Sequence, residues 1–132
     1  MLSGPRKSQQ LATLDVPYAV AAGAVIHQGA IVVLDAGLAK PGFADPAVKT
    51  VGVALVSDDN SEGGDGAGPV VVRREEVWLM DNDANDPVTA ADIGDDCFVK
   101  DDHTVSSTDG GGTQAVAGEI IKVDAGGVWV RL

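Results

Sequence analysis

The sequence predicts a small all-β protein, and its composition and patterning lead to that prediction. Valine occurs twenty times and glycine seventeen times among 132 residues, whereas only five residues are aromatic. β-branched side chains suit pleated strands, and glycine suits the tight turns that join them. Short apolar stretches alternate with polar residues or end at glycine, so we expect a small β-barrel or β-tulip-like single domain with at most one or two short helical turns. A chain of this length fits one domain with one core.

The first half of the chain is predicted to consist of an arm followed by hairpins. Residues 1–14 are polar and have no periodic apolar face, so we expect a flexible N-terminal arm before a β-rich domain over residues 15–132. DVPYAV alternates as a strand does, and IVVLD is an apolar strand that Ala-Gly joins to LAKPG. In the next strand, KTVGVALV, Val51 and Val53 are expected on one face, and Gly52 is expected to admit a bulge or a close backbone neighbour.

The second half is predicted to begin with a long strand. PVVVRREEVWLMD is expected to form one strand over residues 69–81, with one end in the core and the other at an edge or a subunit contact. Thr89 and Asp92 resemble a capping box, which predicts one short helical or 3₁₀ turn. CFVK and HTVSS flank Asp101 and Asp102 as a hairpin, and AVAGEIIKVDAGGVWVRL contains the last two strands.

Charge and hydropathy limit the classes of partner. The net charge of −11 and the pI near 4.2 oppose binding to phosphate backbones, so we expect no direct nucleic-acid partner. No apolar run approaches the roughly 20 residues that cross a bilayer, and the first residues lack the apolar segment of a signal peptide. We therefore expect a soluble protein with no membrane partner and no secretion signal.

The segment DNDANDPVTAAD resembles the oxygen-ligand ladder of a calcium loop. Asp81, Asp83, Asn85 and Asp92 occupy positions one, three, five and twelve of that ladder. Asp86 stands where the loop needs glycine, the twelfth residue is not glutamate, and the capping box also uses Asp92. The sequence therefore favours a solvated strand exit with Asx turns over a calcium site.

The residues that could carry catalysis are not grouped by spacing. His27 and His103 are far apart, and a shared metal or catalytic pair is possible but has no support from the pattern. Adjacent carboxylates such as Asp101 and Asp102 would point to opposite sides of a strand. Cys97 lies among acidic and apolar residues, which predicts a packed, unreactive thiol. We expect no enzyme activity, no cofactor and no metal site.

Three segments resemble the small capsid decoration, or cement, proteins of tailed bacteriophages and prophages. They are the VVVRR strand after an acidic, glycine-rich loop, the block VTAADIGDDCFVKDDHTVSSTDGGGT, and the terminal AGEIIKVDAGGVWVRL. The resemblance extends over nearly everything after residue 14, and the segment EEVWLM is more acidic and bulkier than the family pattern. The resemblance implies a β-barrel or β-tulip-like virion protein. Such a protein lies on the capsid exterior and is made in the bacterial host cytoplasm.

This resemblance also implies a partner and an assembly. The partner would be the major capsid protein, and homotrimers would sit at three-fold and quasi-three-fold positions, where they stabilise the expanded head. We expect the arm and the start of the first strand to contact the capsid or a neighbouring subunit, especially through Leu11, Leu14, Val16, Pro17 and Tyr18. The alternative function is a calcium-stabilised β adhesion or head-fibre module.

Overall fold

The computed structural model describes Ser3 and residues 14–132, and nearly all regular structure within them is β. The strands are β1 (Asp15–Val20), β2 (Val25–Ile26), β3 (Ile31–Asp35), β4 (Leu38–Pro41), β5 (Lys49–Ala54), β6 (Asp58–Asp59), β7 (Ala67–Arg73), β8 (Val77–Asn82), β9 (Asp96–Val99), β10 (Thr104–Ser106), β11 (Val116–Asp124) and β12 (Gly127–Arg131). A 3₁₀ turn, Ala90–Asp92, lies between β8 and β9. The all-β prediction is confirmed, whereas the predicted N-terminal arm falls almost wholly outside the described residues.

Ten of these strands form two closed five-stranded barrels. The first barrel has the order β1-β4-β3-β5-β7, and the second has the order β10-β8-β12-β11-β9. Most neighbours are antiparallel, but each barrel contains one parallel pair, β1 with β4 and β10 with β8. The remaining strands, β2 and β6, pair with each other as a small ribbon. Closure leaves few unpaired strand edges, which limits edge-to-edge association.

The buried apolar side chains form two clusters, and both β3 and β5 contribute to each of them. In β3, Ile31 and Val33 belong to the cluster of the second barrel, whereas Val32 between them belongs to the cluster of the first. All three are fully buried. Because successive side chains of a strand point to opposite faces, β3 acts as a wall with a core on each side. This explains why IVVLD reads as a continuous apolar run rather than an alternating one.

The prediction of one long strand over residues 69–81 is wrong. The chain leaves β7 after Arg73 and begins β8 at Val77, so the two halves belong to different barrels. Glu75 has a φ of 63°, a left-handed conformation that a continuous strand does not contain. Backbone hydrogen bonds hold this crossover: Glu75 N–H donates to the Leu132 carbonyl at 2.6 Å, and Leu132 N–H donates to the Glu76 carbonyl at 3.0 Å.

The close backbone approach predicted at Gly52 is confirmed. The β3–β5 register shifts opposite this glycine, its φ is 142°, and a Cβ at this position would collide with the Arg73 carbonyl oxygen. Because the register shifts here, Val51 and Val53 do not share a face as predicted. Val51 packs in the first cluster and Val53 in the second.

The predicted hairpins and the capping box are confirmed. β3 and β4 form a hairpin, β9 pairs with β10, and β11 pairs with β12. The capping box is present, since the Asp92 carboxylate accepts a hydrogen bond from Thr89 N–H at 2.8 Å. Each of these features joins residues close together in the chain, where turn chemistry decides the outcome.

Candidate functional site

The residues predicted to contact a partner lie at the start of β1. Leu14 is 48% exposed and Pro17 is exposed, whereas Val16 and Tyr18 are partly buried and Tyr18 packs against the first cluster. Leu11 lies outside the described residues. Leu14 and Pro17 therefore lie at the surface, while Tyr18 helps to hold β1 on its own barrel. Their predicted contact role remains a prediction.

Two arginines attach the start of β1 to β7. The Arg73 guanidinium makes a two-pronged ion pair with the Asp15 carboxylate, at 2.8 and 2.9 Å, between residues that are paired across the strands. This hydrogen bonding lowers the pKa of Asp15. Arg74 donates to the Tyr18 hydroxyl at 3.1 Å, and its N–H donates to the Leu14 carbonyl at 3.0 Å. The position at which residues 1–13 join the barrel is thus well defined.

An apolar surface lies on the outer wall of the second barrel. We call it the β8–β12 face and define it by Val77, Leu79, Ile121 and Trp129. Val77 and Leu79 are 40% and 44% exposed, although their neighbour Met80 is buried. Leu79 pairs with Trp129 across the strands, and Val77, Ile121 and Trp129 line a shallow depression of about 240 Å³.

The indole of the β8–β12 face is held in one orientation. Trp129 Nε1 donates to the Asp124 carboxylate at 3.1 Å, and Lys122 Nζ lies 5.9 Å from the centre of the Trp129 ring. Lys122 also pairs with Asp124 at 3.2 Å. An anchored, partly exposed tryptophan with apolar neighbours is typical of the centre of a protein interface, because little side-chain entropy is lost on binding.

Sequence reasoning found only part of this face. In a strand, the alternation of EEVWLM places Val77 and Leu79 opposite Trp78 and Met80, and the structure agrees, since Met80 is buried while Val77 and Leu79 are exposed. Ile121 was missed because the β11–β12 register shifts between Ile120 and Lys122, and this places an extra residue in the strand. No local pattern in GEIIKVD signals that bulge.

The calcium ladder is not gathered around one point. Asp92 is held by Thr89 and Ser107, Asp81 lies 3.9 Å from His103 Nε2, and Asp83 accepts from Asn85 N–H at 3.0 Å. The last contact confirms the Asx turn. Asp83 is buried rather than solvated, with Lys100 Nζ at 3.7 Å. Within the described part of the chain, these carboxylates therefore have separate partners, and they offer no common cavity for a calcium ion.

Asn82 organises the loop after β8, and no sequence pattern singled it out. Asn82 accepts from Val88 N–H at 2.8 Å and donates to the Val88 carbonyl at 2.8 Å, which clamps residues 82–88 into a closed loop. An asparagine at a strand end is a common turn residue, so only the structure shows this one spanning six residues.

The two histidines, in contrast, are brought together. His27 and His103 line one pocket of about 300 Å³, together with Asp102 and the backbone between β2 and β3. The prediction that Asp101 and Asp102 diverge is wrong, because they lie in a turn rather than a strand. His103 Nδ1 is 2.8 Å from an Asp102 oxygen and 3.2 Å from an Asp101 oxygen. Hydrogen bonding to Asp102 raises the pKa of His103.

Cys97 is fully buried within the second cluster, which confirms the packing predicted for it. Burial raises its pKa to about 12. Desolvation is the largest cause of this rise in pKa, and the charge of Asp96 is a minor one. At neutral pH the thiol is protonated and unreactive.

Comparison with known proteins adds no evidence about the fold or the site. No protein-family model, no curated protein and no solved structure matches the chain. Among the residues that the structure describes, no helix has the length and apolar character to span a membrane.

Proposed function

We propose that this protein is a structural virion protein that binds the outer surface of a tailed-phage capsid. It would act as a trimer at three-fold and quasi-three-fold positions and stabilise the expanded head. The single observation that carries the proposal is the β8–β12 face, an apolar surface around an anchored tryptophan. The resemblance of three sequence segments to decoration proteins supplies the biological context.

The β8–β12 face supports contact with another protein. Val77 and Leu79 lie on a strand whose backbone pairs with β12 at these positions, and both side chains are exposed on the outer wall. These side chains are therefore available for contact with another protein. Rigid aromatic and aliphatic side chains surrounded by charged ones, here Lys122 and Asp124, provide such a contact.

The acidic surface supports a position on the outside of a particle. A net charge of −11 on 132 residues gives mutual repulsion between decorated particles. Several copies bound around a symmetry axis would contact the shell at several points, so that each contact acts at high effective concentration. Weak individual contacts would then hold the trimer durably, and preferential binding to the expanded shell would stabilise that state.

The arm provides the first experiment. A variant that lacks residues 1–13 retains Leu14, whose carbonyl accepts the Arg74 hydrogen bond, and also retains the Asp15–Arg73 ion pair. We expect this variant to fold like the full chain but to leave expanded heads undecorated when it is mixed with them. Occupancy is measured by electron microscopy of heads from the phage or prophage that encodes the chain.

A second variant tests the face independently of the arm. Trp129→Ala removes the anchored ring, and Trp78→Phe is the matched control because Trp78 packs inward against the second cluster. Loss of occupancy is expected for Trp129→Ala and not for a folded Trp78→Phe protein. The proposed function is wrong if the intact protein leaves expanded heads bare. If the truncation and Trp129→Ala both decorate normally, the assignment of the contact to the arm and to the β8–β12 face is wrong.

A further inference from the structure

Residue 14 lies beside the crossover that joins the two barrels. Arg74 N–H, in that crossover, donates to the Leu14 carbonyl at 3.0 Å. Val77, the first residue of β8, comes three positions after Arg74, so their Cα atoms are at most about 11 Å apart. The point at which residues 1–13 join the barrels is therefore close to the β8–β12 face.

The register of β1 and β7 directs the preceding residues toward this face. The two strands are antiparallel, and the Leu14–Arg74 hydrogen bond continues their register by one residue. Each further step toward the N-terminus corresponds to one step toward β8, and on this count Leu11 comes opposite Val77. Glu75 bends the crossover, so the register gives a direction and a span and not a ladder of hydrogen bonds.

Two neighbouring depressions lie along this direction. The first has a volume of about 340 Å³ and is lined by Leu14, Asp15, Arg73 and Glu76. The second, of about 240 Å³, is the one on the β8–β12 face, and Val77 forms part of its wall. Because Glu76 and Val77 are consecutive in the chain, the depression at residue 14 borders the one beside Trp129.

The composition of residues 1–13 fits a contact with this surface. The segment has two basic residues, Arg6 and Lys7, and no acidic one, whereas residues 14–132 contain all 20 acidic residues of the chain. Glu75 and Glu76 are exposed at the crossover that the segment would follow. Residues 3–10 lack a large apolar side chain, so Leu11 is the nearest one before Leu14 that can enter an apolar depression.

Tethering favours the segment of the same chain over that of another copy. Only two residues separate Leu11 from Leu14, whose carbonyl is fixed by Arg74. A group on a short linker acts at an effective concentration of about millimolar order, which exceeds the concentration of a second copy in dilute solution. Trp129 is already held by Asp124, so little side-chain entropy is lost when the ring is covered.

We propose that residues 1–13 fold back over the β8–β12 face of their own chain when the protein is free in solution, with Leu11 packed against Trp129. A second protein that binds this face then displaces the segment. The contact belongs to the free chain and does not depend on the capsid assignment. On a head, the segment would leave the face, and both would contact the shell.

The test is tryptophan fluorescence of the free protein, without heads. Trp78→Phe leaves Trp129 as the single tryptophan, and its emission and its quenching by acrylamide are compared with and without residues 1–13. We expect truncation to shift the emission to longer wavelength and to increase quenching, because water and acrylamide then reach the ring. Leu11→Ser is expected to reproduce the truncation. Leu2→Ser is the matched control, because Leu2 lies beyond the polar stretch, and it is expected to behave like the intact segment.

Circular dichroism checks the fold of each variant. If Trp78→Phe does not fold, the same comparison is made in chains that keep Trp78, which packs against the second cluster in both and leaves the difference to Trp129. Equal emission and quenching with and without residues 1–13 would disprove the contact. An unchanged spectrum in folded Leu11→Ser would disprove the role of that residue.

Native mass spectrometry at the same protein concentrations identifies the chain that supplies the segment. Protection of Trp129 in the monomer, constant over a range of concentrations, supports the proposal. Protection that appears only at concentrations where oligomers form would assign the segment to a second copy and would overturn the proposal.

Discussion

The two barrels have the same type of strand order. They differ in the side chains that they enclose and in the side chains that they expose. The first encloses small side chains, mainly valine and alanine, around Ile26. The second encloses Met80 and Ile120 and is packed by Phe43 and Trp78, and it also receives Ile31 of β3 from the first barrel. The second core is therefore built by both halves of the chain, whereas the residues of the first core all lie before β8.

Their outer surfaces differ as well. Three large apolar side chains within strands of the second barrel are strongly exposed, namely Val77, Leu79 and Val116. Of the exposed large apolar residues described in the first half, Leu14 precedes β1 and Val56 follows β5, so none lies within a strand of the first barrel. The exposed apolar surface within strands therefore belongs to the second barrel, whereas Leu14, where the continuously described part of the chain begins, lies beside the first.

The largest expected effect concerns the wall between the cores. Ile31→Ala and Ile26→Ala each remove a fully buried side chain, and each is expected to lower the free energy of unfolding by about 2–5 kcal/mol. If β3 couples the barrels, the urea midpoint measured by tryptophan fluorescence will equal the midpoint measured by far-ultraviolet circular dichroism, for each of the two variants. Both tryptophans lie in the second barrel, so the fluorescence reports on that half.

Val56→Ala is the control for this pair, because Val56 is 52% exposed and its loss is expected to cost less than about 0.5 kcal/mol. The idea of a shared wall fails if Ile26→Ala lowers the midpoint seen by circular dichroism and leaves the fluorescence midpoint unchanged. That result would describe two barrels that unfold separately.

The next effect concerns the glycines at which strands approach closely. Gly52→Ala places a Cβ against the Arg73 carbonyl at a φ of 142°, and we expect a cost of about 1–3 kcal/mol in thermal or urea unfolding. Gly118→Ala is the counterpart in the second barrel, where the Cβ would meet the Arg131 carbonyl. Gly64→Ala meets nothing within 4 Å, so an equal loss from Gly64→Ala would show that close approach is not the cause.

A smaller effect depends on pH. Burial raises the pKa of Cys97 from 9.0 to about 12, so between these values the folded chain keeps a proton that the unfolded chain releases. Stability therefore falls as pH rises above about 9, by up to about 1.4 kcal/mol per pH unit from this group. The urea midpoints of the intact protein at pH 8 and pH 10 are compared with those of Cys97→Ser, which lacks the thiol and therefore this loss of stability. Identical pH dependence in the two proteins would contradict the assignment.

The smallest effect is expected on the β8–β12 face. Val77→Ser and Leu79→Ser are each expected to change the free energy of unfolding by about 0.5 kcal/mol or less, because both side chains are largely exposed. Met80→Ala, on the same strand but inside the barrel, is expected to cost about 2–5 kcal/mol. A large loss from Leu79→Ser would show that this face stabilises the monomer rather than being available to a partner.

Much of the local structure follows from the sequence. The β3–β4, β9–β10 and β11–β12 hairpins and the capping box at Thr89 join residues that are near neighbours in the chain. In such cases turn residues and apolar alternation are sufficient to predict the structure. The all-β class and the burial of Cys97 were predictable for the same reason, since composition and immediate context decide them.

Only the tertiary structure decided where the chain changes barrel and which distant residues meet. The four charged residues at 73–76 look like part of a strand, but Glu75 takes a left-handed conformation because its N–H bonds to Leu132, 57 positions away. His27 and His103 line one pocket although 75 residues separate them in the chain. The physical reason is that barrel closure depends on pairing between strands far apart in the chain, and such pairing leaves no period or spacing in the local sequence.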